Sequence, residues 1–121
     1  MHESSLLDST VLASLVELNA QSEGDFLVGL VERYADLGAT MEGEMDAALA
    51  ERDRDAIRRL AHQFKGSSAN LGVKQVSDIC HEIQTWADGA EDFTVARGHV
   101  NCLREARRAG TDALREFVRH L

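Results

Sequence analysis

Apolar residues recur along most of this chain at alternating spacings of three and four, the pattern of helices that bury one face. Asp8 or Ser9 can cap a short helix ending near Asn19, with Val11, Leu12, Leu15 and Leu18 on one side. A second helix is predicted from about Gly24-Asp25 to Glu51, with the stripe Leu27, Leu30, Val31, Tyr34, Leu37, Met41, Met45, Ala48 and Leu49. Gly29, Gly38 and Gly43 weaken it, and either bend it or let a neighbour pack close. A third helix opens near Asp53 and closes near Gly72, a residue type suited to a helix C-terminus. A fourth spans about Lys74 to Ala87, with Val76, Ile79, Cys80, Ile83, Trp86 and Ala87 aligned, before Asp88-Gly89 breaks it. The fifth runs from about Asp92 to the end with Phe93, Ala96, Val100, Leu103, Gly110, Leu114, Phe117 and Leu121 aligned, interrupted by Arg107.

Short connections between long helices force antiparallel neighbours. The expected fold is all-α: an up-down antiparallel four-helix bundle over about residues 24–121, with the short N-terminal helix (about 8–19) laid across one end. At 121 residues the chain is expected to be one domain, 1–121, without internal repeat or linker. The absence of proline and the abundance of Ala, Leu, Arg and Glu agree with helices throughout. Apolar runs are short and broken by charge, so no membrane span is expected. Met1-His2-Glu3-Ser4-Ser5 lacks the basic and apolar regions of a signal peptide, which points to a cytoplasmic protein. The initial Met and compact length favour a free-standing protein over a piece excised from a longer one. A monomer is expected, because closing the bundle leaves no long exposed apolar stripe.

The net charge of -8 argues against a nucleic-acid partner, and it is unevenly spread. Residues 1–50 hold ten acids and one base, Arg33; residues 51–121 hold eleven acids and twelve bases. The bases gather around the third helix (Arg52, Arg54, Arg58, Arg59, Lys65) and in the last one (Arg97, Arg104, Arg107, Arg108, Arg115, Arg119), and most read as solvated helix faces. Cys80 and Cys102 lack metal-ligand spacing and read as buried, reduced thiols in apolar stripes.

The chemistry concentrates in Ala61-His62-Gln63-Phe64-Lys65-Gly66-Ser67-Ser68-Ala69-Asn70-Leu71-Gly72. On a helical wheel Ile57, Leu60, Ala61, Phe64, Ser68 and Leu71 gather on the core face, with Ser68 back-bonding to a carbonyl or filling a tight contact. His62 points about 140–160° from that face's centre. Beside it lie Arg58, Arg59, Lys65, Gly66 and Ala69. A neutral imidazole is nucleophilic near its reference pKa of about 6.5. Lys65 is placed to stabilise a phosphoryl group in transfer. Gly66 costs the helix about 0.8–1 kcal/mol against alanine, and removes a side chain that would obstruct an approaching surface. Geometry alone leaves His62 evenly balanced between a surface histidine and a reactive one.

That segment closely resembles the signature of histidine-containing phosphotransfer (HPt) domains, the carriers of multistep phosphorelays: His, any residue, an apolar residue, Lys, Gly, small residues, then Leu-Gly. The stretches Asp55 to His62 and Val76 to Gln84 are similar to the flanking regions of the family. Phe64, where Leu or Ile is commoner, and Val73, where Ala is usual, are small departures. The resemblance implies His62 as phosphoacceptor, Lys65 as stabilising cation, Gly66 as access glycine and Gln84 as hydrogen-bond partner of the ring. It implies reversible transfer between His62 and receiver-domain aspartates. Response-regulator receivers and a hybrid sensor histidine kinase are the expected partners. No cofactor of its own is expected; Mg2+ belongs to the receiver. The chain is expected not to be a kinase, having no ATP-binding module. Docking is expected around Gly66, Ala69, Asn70 and Arg58, with apolar contacts from Leu12 and Leu15. The alternative is an HPt-like module that binds a receiver or kinase without carrying phosphate. Lys65-Gly66-Ser67-Ser68 has the letters of a phosphate-binding loop in the wrong order. His81 and Glu82, with His62 or His99, read as surface residues rather than metal ligands.

Overall fold

The structure, a computed structural model, describes residues 6–22 and 26–121. Five helices follow one another: α1 (Ser9–Gln21), α2 (Phe26–Ala50), α3 (Arg54–Asn70), α4 (Lys74–Ala87) and α5 (Phe93–Arg119). The expected start of the second helix at Gly24-Asp25 lies outside the described residues. The long helices pack in a ring, α2 on α3, α3 on α4, α4 on α5 and α5 on α2, with α1 against α2. This is the antiparallel four-helix bundle with an added N-terminal helix that the periodicity predicts.

Aspartates set most of the helix starts. The Asp8 carboxylate accepts from the backbone N–H of Thr10 and Val11, Asp53 from Ala56, and Asp92 from Thr94. Asn19 reaches from α1 to accept the Leu27 N–H at 3.0 Å, so one helix caps the next. At the end of α3, Gly72 adopts φ +76°, and its N–H bonds to Ala69 O while that of Val73 bonds to Ser68 O. That pair of bonds satisfies the last carbonyls and turns the chain sharply into α4. The Gly72 carbonyl in turn accepts the Asp8 N–H at 2.7 Å, which ties α1 to this end of the bundle. Arg52, at φ 55°, makes the equivalent turn between α2 and α3.

The core holds Leu27, Val31, Met45, Ile57, Ala61, Phe64, Val76, Cys80, Ile83, Trp86, Ala96, Leu103 and Leu114, all at most 2 % exposed. Phe64 stacks on Tyr34 with ring centroids 5.1 Å apart. The Tyr34 hydroxyl and Ser68 Oγ share a buried hydrogen bond of 2.7 Å. Ser68 therefore fills a tight contact between α2 and α3, and it is Ser67 whose hydroxyl donates back to a carbonyl, that of Gln63. Burial raises the Tyr34 hydroxyl pKa far above its ordinary value.

Several expectations from periodicity need correction. Leu18, Leu37 and Leu121 are exposed rather than aligned with the core: α1 and the C-terminal residues meet the bundle along only part of their circumference, and Leu37 on α2 faces an open groove. Cys102 is exposed; only Cys80 is a buried thiol. Arg107 is no solvated residue either. It is 8 % exposed, and its Nε donates to Glu42 at 2.6 Å. Gly38 makes room for it, since a Cβ there would lie 2.3 Å from the Arg107 Cδ. Arg104 and Arg108 join the same carboxylate. Burial pushes the Glu42 carboxyl upward, but the hydrogen bonds and charges of these arginines outweigh it and hold it below the ordinary carboxylate range. Arg54 is likewise structural. Its guanidinium lies 4.2 Å from the Trp86 ring centroid and donates to the Trp86, Gly89 and Glu91 carbonyls, clamping the loop between α4 and α5.

Candidate functional site

The expected α3 face forms as the sequence implies. Ile57, Ala61, Phe64, Ser68 and Leu71 turn inward, while Arg58, His62, Gly66, Ala69 and Asn70 are exposed. Leu60 is half-buried. A Cβ on Gly66 would meet nothing within 4 Å, so the surface beside the imidazole is open.

α4 runs antiparallel to α3 and presents one partner to each of three α3 residues in succession. Gln84 Nε2 lies 3.1 Å from His62 Nδ1. Lys65 Nζ lies 3.4 Å from His81 Nδ1. Arg58 Nε lies 3.9 Å from Asp88 Oδ1. The three rungs fall in the order of an antiparallel helix pair, and each changes the chemistry of one α3 residue.

The middle rung orients the imidazole. A half-turn of the Gln84 amide exchanges its oxygen and nitrogen. With the amide as it stands, Oε1 is buried without a hydrogen-bond partner, and Nδ1 has to accept. With the oxygen toward the ring, Nδ1–H donates and the Nε2 lone pair is left free. Either way Nδ1 is the engaged nitrogen, and Nε2 has no protein partner among the described residues.

The outer rungs treat their cations differently. Arg58 is already matched by carboxylates, with Asp55 at 2.6 Å and Asp88 at 3.9 Å. Arg59 also pairs with Asp55, at 3.7 Å. Lys65 meets only the imidazole of His81, so its charge stays uncompensated by any carboxylate within 4 Å among the described residues. The contact with His81 places the ammonium on the α4 side of its helix, where its charge opposes the burial that pushes the Cys80 thiol up to about 12.

Of the residues expected to dock a partner, Gly66, Ala69, Asn70 and Arg58 share this exposed face. Leu12 and Leu15 are each 8 % exposed and belong mainly to the core, with Leu15 also reaching the wall of an open groove. Exposed apolar area lies instead at Leu18 (50 %), Phe26 (37 %) and Leu37 (46 %). These flank an open groove of about 660 Å³ between α1, α2 and α3, whose α3 wall is Ser67, Asn70 and Leu71. A local apolar patch, though no long stripe among the described residues, therefore remains after the bundle closes. His81 was classed with surface histidines. Its place three residues before Gln84, on the same face of α4, is the signal that could have brought it into the site. Among the described residues no three His, Cys, Asp or Glu side chains converge to hold a metal ion, and no helix is long and apolar enough to cross a membrane.

Comparison with known proteins gives a consistent result. The family described as Hpt domain matches residues 29–119. The phosphorelay intermediate protein YPD1 of Saccharomyces cerevisiae is 29 % identical over 91 residues, covering 74 % of this chain and 54 % of that protein. The chain spans 29 to 54 % of the length of the fungal relatives it matches. The crystal structure of histidine-containing phosphotransfer protein B from Pseudomonas aeruginosa superposes with a TM-score of 0.81 at 24 % identity, covering 96 % of both chains. The co-crystal structure of Ypd1 with the receiver domain of its downstream response regulator Ssk1 superposes with a TM-score of 0.67 at 19 % identity, covering 91 % of this chain and 88 % of that one.

Proposed function

This chain belongs to the Hpt domain family, and from that premise we propose that it is a phosphorelay carrier whose phosphoacceptor is the His62 imidazole. The observation that carries this reading is an exposed imidazole held through Nδ1 by Gln84, next to an open glycine and a lysine, with no partner for Nε2 and no carboxylate on the lysine among the described residues.

In the forward step the Nε2 lone pair forms an N–P bond with the phosphoryl group of a receiver aspartyl phosphate. The P–O bond to that aspartate breaks, and its electron pair returns to the carboxylate. Nδ1 keeps its proton, so the phosphorylated ring is cationic, and the Gln84 amide, turned so that Oε1 faces the ring, accepts from Nδ1–H and stabilises that charge. Lys65 offsets the charge spread over the phosphoryl oxygens in transfer. The reverse sequence delivers the group to an aspartate of another receiver. Mg2+ and the acidic pocket are the receiver's contribution, and the ATP-dependent step belongs to a hybrid sensor kinase upstream. The protein acts as an intermediate and not as a kinase, in the cytoplasm where such kinases keep their ATP.

A receiver approaching His62 would cover Gly66, Ala69 and Asn70, and Asn70 also walls the groove between Leu18 and Leu37. Covering that groove removes the apolar patch from water, which supports one receiver per monomer. The relative Ypd1, crystallised with a receiver domain, supports the partner class.

The test mixes purified protein with a phosphorylated receiver domain. The wild type gains one acid-labile, alkali-stable phosphate. His62→Gln gains none while keeping its helical circular dichroism and melting temperature. Undiminished labelling of His62→Gln would overturn the assignment.

A further inference from the structure

We infer that His81 is a positioning residue for phosphoryl transfer, acting through Lys65. The inference rests on the carrier reading above and adds to it a second α4 contribution, beside that of Gln84.

Lys65 lies three residues beyond His62 on α3, one turn along the same side. An unanchored lysine spreads its charge over many rotamers, and ordering it at the moment of reaction opposes the transfer. The His81 ring accepts from the ammonium at 3.4 Å, one helical turn from the Gln84 contact with His62. The lysine is thereby held toward α4, one helical turn from His62, before a phosphoryl group arrives.

The chemical identity of the partner matters as much as its place. Arg58 shows the alternative on the same pair of helices: its carboxylate partners, Asp55 and Asp88, neutralise it. A carboxylate at position 81 would hold Lys65 more firmly, cancel its charge and repel the incoming phosphoryl oxygens. A neutral imidazole orders the ammonium without cancelling it, and gives it up readily to a doubly charged acceptor. His81 is exposed, so its replacement leaves the core untouched.

Rates of phosphoryl uptake from a phosphorylated receiver domain, for wild type, His81→Ala, His81→Gln, Lys65→Ala and the double variant His81→Ala/Lys65→Ala, form the test. His81→Ala slows uptake about three- to tenfold, the scale of releasing one long side chain. His81→Gln, whose amide oxygen also accepts from an ammonium, recovers most of the rate. In the Lys65→Ala background, His81→Ala has no further effect. A wild-type rate for His81→Ala, or an equal loss in both backgrounds, would overturn the inference. A second reading does not depend on transfer. Imidazole 15N spectra of the whole protein should show His81 Nδ1 as an unprotonated acceptor that shifts in Lys65→Met. Identical His81 spectra in those two proteins would refute the contact, whereas failure of wild type to take up phosphate at all would count against the carrier reading instead.

Discussion

Replacing Gly66 by alanine separates stability from function in one substitution. In a helix interior alanine is favoured over glycine by about 0.8–1 kcal/mol. A Cβ at Gly66 would meet nothing within 4 Å, so no clash offsets that gain. Gly66→Ala should raise the urea midpoint accordingly and the melting temperature by about 3–5 °C for a chain of this length. The same methyl group intrudes on the surface where a receiver must approach His62. At the cost of overpacking a contact, about 1–3 kcal/mol, transfer should slow about five- to a hundredfold. Gly66→Leu should slow it further. Gly43→Ala is the control: its Cβ also meets nothing within 4 Å, but it lies on α2, away from the imidazole. It should match the stabilisation and transfer at the wild-type rate. Destabilised Gly66→Ala protein would show that the space beside the ring is not open. Stabilised protein whose Leu variant still transferred at full rate would show that the glycine is not there for access.

Three further outcomes follow from the packing. Gly38→Ala should behave oppositely to Gly43→Ala, losing about 1–3 kcal/mol in denaturant titrations, because its Cβ would displace Arg107 from Glu42. Glu42 has its carboxyl held below the ordinary carboxylate range by its arginines, so its contribution is complete above the unfolded pKa and is lost as pH falls through the folded one. Urea midpoints measured between about pH 5 and pH 3 should therefore fall less steeply for Glu42→Gln than for wild type, and equal slopes would dismiss the arginine cluster as a source of acid sensitivity. Ser68→Ala should cost about 1–3 kcal/mol by leaving the buried Tyr34 hydroxyl without its partner, and adding Tyr34→Phe should recover part of that loss.

The periodicity carried the architecture because four of the five helices bury a continuous stripe, and the periods of three and four record that directly. It misplaced residues where a helix is covered over only part of its circumference, as at Leu18 and Leu37, where apolar residues line an open groove rather than the core. It also misread arginines. Arg107 and Arg54 look solvated in one dimension because their partners, Glu42 with Gly38 and the carbonyls of the α4–α5 loop, lie far away in sequence. The site was legible where it is local: His62, Lys65 and Gly66 fall within one and a half turns of α3, and a helical wheel suffices to group them. Gln84 came from the family resemblance. The His81 contact with Lys65 was not legible in the sequence because it depends on the register of α4 against α3. A wheel gives a stripe but not what covers it, so it could not show that Leu12 and Leu15 are buried while Leu15 still lines the groove.

The central claim is that Nε2 of His62 is the atom that carries the phosphoryl group. Phosphorus NMR and peptide mapping of the protein, after exposure to a phosphorylated receiver domain, test it most directly. The account predicts a single phosphoimidazole resonance of the Nε2-substituted isomer, confined to the peptide containing His62 and absent from His62→Gln. Phosphate on Nδ1, on His81 or on any other side chain would contradict it.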